Sequence, residues 1–111
     1  MSPNRARAND PTLLILTSLA SGEKHGYALL QDIEQFAGVT LGPGTLYGAI
    51  GRLEERHMIE SAGGAGRRRP YRLTAAGAQE LADALDRLRV ITHEGGRRLT
   101  ARRAATAGGT A

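Results

Sequence analysis

Residues 42–60, GPGTLYGAIGRLEERHMIE, decide how this chain is read. Leu46, Ala49, Ile50 and Leu53 recur three and four apart, the spacing of one buried face of an α-helix. Gly48 and Gly51 interrupt that helix, and a glycine in a helix interior costs about 0.5–1 kcal/mol relative to alanine. A helix turns about 100° per residue, so Gly48, Gly51 and Glu55 fall opposite the buried stripe. Tyr47 flanks that bare side on one edge, and Thr45 and Arg52 flank it on the other. Two readings stay open: the bare face lets the helix approach a partner closely, or packing elsewhere tolerates the glycines.

Upstream, NDPTLLILTSLASG opens a first helix, with Asp10 suited to the N-cap and Pro11 to the first helical position. Leu13, Leu16, Leu19 and Ala20 keep helical spacing there. HGYALLQDIEQFAG reads as a second helix, with Leu29, Leu30, Ile33, Phe36 and Ala37 on one stripe and Gly38 as its stop. Downstream, Ile59 and Tyr71–Leu73 read as two short strands joined by a Gly/Arg-rich turn. Thr74 suits the N-cap of a last helix, AAGAQELADALDRLRVIT, whose Leu81, Leu85, Leu88 and Ile91 or Thr92 alternate four and three apart. That helix is expected to reach about Arg103. The order helix, helix, helix, strand, basic turn, strand, helix predicts a mainly α fold with a small β-hairpin. It is the layout of a winged helix-turn-helix with a C-terminal dimerisation helix. The expected organisation is a loose segment over 1–9, the winged domain over 10–74, the last helix over 75–103 and a disordered tail over 104–111.

Composition narrows the function classes. The chain has 111 residues, a net charge of +4, no cysteine, no tryptophan and one phenylalanine. The basic balance leans towards an acidic partner such as nucleic acid. Disulfides and thiolate metal sites are excluded without cysteine. His25, His57 and His93 share no metal-ligand spacing, so neither metal nor cofactor is expected. The longest apolar run, LLIL at 13–16, is too short for a membrane span, and a cytoplasmic location is the default. No nucleophile stands near a base and no phosphate-binding loop has its strand-to-helix context, which argues against an enzyme.

Three segments carry a family resemblance: LLILTSLASGEKHGYALLQDIE, GPGTLYGAIGRLEERHMIE and RRRPYRLTAAG. In this order, over residues 13 to 77, they resemble the PadR-type transcriptional regulators. In that family HGY opens the second helix, PGTLY opens the recognition helix and YxLTxxG leads into the dimerisation helix. The resemblance implies a dimeric, sequence-specific DNA-binding regulator of repressor type. The chain departs from the family pattern at Gly42 (usually Ser), Gly48 (usually Pro), Gly51 (often basic) and His57 (commonly Gly).

The candidate DNA contacts follow from both lines of argument. The recognition helix, about 43–57, would enter the major groove with Gly44, Thr45, Tyr47, Gly48, Gly51 and Arg52. The wing, about 64–70, would meet phosphate or the minor groove through Arg67, Arg68 and Arg69, with Arg72 just behind. His25 reads as a helix cap or a phosphate contact. Tyr27 reads first as packed against the third helix, with its hydroxyl kept among the contact candidates. The expected dimer interface is Leu13, Leu16, Leu81, Leu85, Leu88, Ile91 and Thr92, because a small domain has no other cover for the last helix. The partners expected are double-stranded DNA at a palindromic operator and a second copy of the chain, with room for a small-molecule effector. The competing reading is a winged-helix protein-interaction module that never touches DNA, which would have no need of an arginine wing.

Overall fold

The computed structural model describes residues 9–63 and 69–109. Helix α1, Pro11–Leu19, begins as the sequence directs: the Asp10 carboxylate accepts the Thr12 backbone N–H at 3.1 Å, and Pro11 takes the first position. Its five core residues Leu13, Leu14, Ile15, Leu16 and Leu19 are all buried. A helix that is apolar nearly all round belongs at the centre of a core, and α1 touches every other helix and the hairpin. This overturns one expectation. Leu13 and Leu16, assigned to a dimer interface, are 6% and 3% exposed within their own chain and have no surface left for a partner. Ala20, placed on the buried stripe, is exposed.

Helix α2, Gly26–Ala37, is clamped to α1 by the buried Ser18 hydroxyl, which donates to the Asp32 carboxylate at 2.6 Å. Leu29 and Ile33 are fully buried, whereas Phe36 is 46% exposed and Ala37 is exposed. The expected stripe therefore stops a turn early, at Ile33. Gly38 closes the helix at φ +68°, the left-handed conformation that favours glycine.

Helix α3, Pro43–Glu55, buries the predicted stripe Leu46, Ala49, Ile50 and Leu53 to 2% exposure or less. Gly42 stands at its N-cap with no side chain to bond the first N–H groups. After α3 the chain reverses through His57 at φ +60°. The strands β1 (Ile59–Ser61) and β2 (Tyr71–Leu73) pair antiparallel, Ile59 opposite Leu73 and Ser61 opposite Tyr71. The hairpin has a further neighbour: Lys24, the lone lysine among 15 basic residues, exchanges both backbone hydrogen bonds with Tyr71. The Lys24 ammonium group donates to the Ser18 carbonyl and the Ser21 hydroxyl, tying the end of α1 to the base of the wing.

Helix α4, Ala75–Gly109, opens with the Thr74 hydroxyl accepting the Gly77 N–H at 3.0 Å and donating to the His57 carbonyl at 2.7 Å. Gly77 is buried against β1: a Cβ there would overlap the Met58 carbonyl oxygen and lie 2.9 Å from its carbon. Leu81 and Ala84 are buried on α1 and α3, and Leu88 is half-buried at the core margin. The helix then continues alone past Gly95 and Gly96 to Gly109, beyond the expected end at Arg103 and into the segment expected to be a disordered tail. Side chains strap the glycine pair. The Glu94 carboxylate accepts from Arg97 and Arg98 at 2.6 Å each, and the Thr100 hydroxyl donates to the Gly96 carbonyl. Those bonds hold the Glu94 carboxyl below its ordinary range, Arg97 contributing first.

Candidate DNA-binding surface

Packing the apolar stripe of α3 inward turns its other side to solvent. Gly44, Thr45, Tyr47, Gly48 and Arg52 are exposed, and Gly51 is half-exposed. Neither glycine is demanded by the fold. A Cβ at Gly51 would meet open space, and one at Gly48 would find only the Arg52 guanidinium, 3.6 Å away. Among the described residues the Arg52 side chain makes no ion pair or hydrogen bond, and its guanidinium lies at the flank of this face, over Gly48.

The N-terminus of α2 joins the same surface through one close contact. The Tyr47 phenol lies across Gly26, where a Cβ would overlap the hydroxyl and sit 2.9 Å from the ring carbon that bears it. His25 and Tyr27 flank Gly26 and are both exposed. Tyr27 is 65% exposed, and its hydroxyl accepts from the Gln31 side-chain amide at 3.3 Å. Packing of Tyr27 against α3 is therefore overturned; Tyr47 occupies the seam instead. The His25 side chain makes no capping bond to α2.

The wing contributes unequally. Arg67 and Arg68 lie outside the described residues. Arg69 is exposed and makes no ion pair among the described residues. Arg72 is engaged: its guanidinium donates to Glu60 across the hairpin at 2.8 Å and lies 3.6 Å from Glu23. Those carboxylates, Glu60 first, raise its pKa and make it a strut of the hairpin. Glu60 was readable in advance, because it stands opposite Arg72 in the hairpin register. Glu23 was not, since its approach depends on the Lys24–Tyr71 bridge. Tyr71, at the wing base, is buried, and burial raises its hydroxyl pKa with Glu54 adding to the effect and Arg69 opposing it.

A second surface lies along α4. Past the core the helix exposes Leu85, Val90, Ile91 and Leu99, at 37%, 68%, 62% and 53%. Thr92 is exposed as well, whereas Leu81 is 7% exposed in its own core and unavailable to a partner. Because the helix is unbroken, the four-three alternation of Leu81, Leu85, Leu88 and Thr92 carries on to Gly95 and Leu99.

Among the described residues no cluster of His, Asp and Glu could hold a metal ion, and no helix is long and apolar enough to cross a membrane. The cleft between α1, α3 and α4 lined by Leu13, Leu53, Met58 and Ala84 holds about 30 Å³, room for a water and little more.

Three helices around a central α1, a basic hairpin and a solvent-facing third helix are the parts of a DNA-reading winged helix. The model of the transcriptional regulator PadR-like family matches residues 15–83. The chain belongs to the PadR-like family of transcriptional regulators. A PadR-family transcription regulator from Clostridium difficile has a similar structure, with TM-score 0.70 and 26% identity, covering 80% of this chain and 97% of that one. A transcriptional regulator from Clostridium thermocellum shares the fold at TM-score 0.70 and 24% identity, covering 85% and 94%. In sequence, an uncharacterised 37.1 kDa protein of a Streptomyces fradiae transposon is 48% identical over 75 residues. Those residues are 68% of this PadR-like chain but 22% of that relative, so the chain matches about a fifth of it.

Proposed function

We propose that this PadR-like protein is a cytoplasmic homodimeric repressor that occupies a palindromic operator. One α3 from each subunit enters a major-groove segment, the two segments about one helical turn (about 34 Å) apart. Gly44, Thr45, Tyr47 and Arg52 contact the duplex from α3, with His25 and Tyr27 beside them. Arg67, Arg68 and Arg69 of the wing meet phosphate or the minor groove. What supports this reading is the solvent-facing side of α3, where Arg52 lies over Gly48 with no ion pair among the described residues. Gly48 and Gly51 let the helix axis sit deep in the groove. The second copy covers Leu85, Ile91, Thr92 and Leu99, an apolar stripe that its own domain leaves open.

Mobility shifts on duplexes from the flanking DNA, across a salt series, test the reading. A dimer neutralising several phosphates gives a steep fall of log affinity with log salt, and replacing Arg67, Arg68 and Arg69 by alanine flattens that slope. No binding at low salt would remove the regulator reading in favour of a protein-interaction module. Leu85→Asp with Leu99→Asp should sediment as a monomer with an unchanged circular dichroism spectrum; an intact dimer would place the interface elsewhere.

A further inference from the structure

Arg52 and Gly48 stand one turn apart on α3, and their geometry is that of an occupant and its seat. Helical side chains lean towards the N-terminus, over the residue four positions earlier. The Arg52 guanidinium does so here, coming within 3.6 Å of where a Gly48 Cβ would stand. Any residue longer than alanine at position 48 would take that space and lift the guanidinium off the helix. Gly51 beside it offers open space in place of a competing side chain. Glu54 and Glu55, the carboxylates nearest in sequence, form no ion pair with Arg52, whereas Arg72 has two. Among the described residues the result is one unpaired, flat, two-pronged donor lying over Gly48 at the flank of the exposed face.

We propose that Arg52, seated over Gly48, is the specificity-determining residue of this protein and reads a guanine in each half-site. This role requires α3 to enter the major groove, as in the function proposed above. A guanidinium presents parallel N–H donors that match the O6 and N7 acceptors of guanine, a pairing no other base edge offers. Gly48 acts as a positioning residue: it contacts no base but fixes where the prongs point. Thr45 and Tyr47, towards the N-terminal end of α3, are left to contact phosphate.

The test is selection of duplexes from a random library with the full-length protein. Affinities are then measured for the selected site and for every single-pair change within it. The wild-type protein should select a G·C pair under the middle of α3 and lose roughly tenfold to hundredfold affinity when that pair alone is changed. Arg52→Lys should flatten the preference at that pair and leave the others. Gly48→Gln should flatten the same pair although Arg52 is still present, and Gly48→Ala should keep the preference even where overall affinity falls. Thermal melts of each variant establish that it is folded. Arg52→Lys lowering affinity equally for all sequences would make Arg52 a phosphate contact and overturn the proposal while leaving a DNA-binding regulator. Retention of the preference in Gly48→Gln would overturn the seat. Failure of the wild-type protein to enrich any duplex would overturn the operator reading itself.

Discussion

Two pairs of glycines in this protein look alike in sequence and differ in what surrounds them. At Gly77 and Gly26 the space for a side chain is already taken, by the Met58 carbonyl in one case and the Tyr47 phenol in the other. At Gly48 and Gly51 it is open, apart from the tip of one arginine. The first pair is dictated from inside the fold, because two elements could not otherwise come so close. The second is free of any such demand, so whatever purpose it has lies outside the chain. A glycine interrupting a helical pattern is therefore informative only when its neighbours in space are known.

The comparison can be broken experimentally, most forcefully at Gly77. Gly77→Ala pushes a methyl group into a backbone carbonyl that cannot move without shifting β1, and should cost about 1–3 kcal/mol or more in thermal or urea unfolding. A neutral result would mean that α4 and the wing are not in close contact. The opposite sign is expected on the open face: Gly48→Ala with Gly51→Ala should gain about 1–2 kcal/mol from helix propensity alone. A loss there would reveal a packing demand that the structure lacks. Gly26→Ala is intermediate, costing about 1 kcal/mol because a side chain, not backbone, must yield. That cost should vanish in a Tyr47→Ala background, and a double-mutant cycle without coupling would separate the two residues. The smallest effect is expected at His57, which adopts φ +60°, a conformation that favours glycine. His57→Gly should stabilise by up to about 1 kcal/mol by relieving the left-handed strain; destabilisation would mean that the imidazole makes a contact worth more than the strain.

Much of the fold was legible because it is written locally. Asp10 and Thr74 cap their helices through their own side chains, and the stripe of α3 is buried residue for residue. The family motifs then gave the order of the parts. What failed depends on which elements meet. Leu13 and Leu16 looked like interface because helical spacing marks an apolar face without saying how many neighbours surround it. Phe36 continues the pattern of α2 but is 46% exposed, because periodicity does not say where neighbouring elements stop covering a face. The continuation through Gly95–Gly96 depends on Glu94 gripping two arginines across the weak point, a compensation that glycine counting overlooks. On the candidate site, periodicity placed Gly48, Gly51 and Arg52 on the outward face. The capture of Arg72 by Glu23 and Glu60 required the third backbone pairing at Lys24, which no short-range pattern signals.

The unbroken α4 has a mechanical consequence. Its 35 residues form one rod, about 50 Å long at about 1.5 Å per residue. It is fastened to the rest of the domain along its first part only, from Thr74 through Gly77, Leu81 and Ala84 to Leu88. A tilt of about 10° at that fastening sweeps the far tip through on the order of 5 Å, since about 30 Å of helix extends past Leu88 at about 1.5 Å per residue. The rod is thus a lever: small changes of angle at the wing are large displacements at Gly109, and holding the far end fixes the attitude of the head.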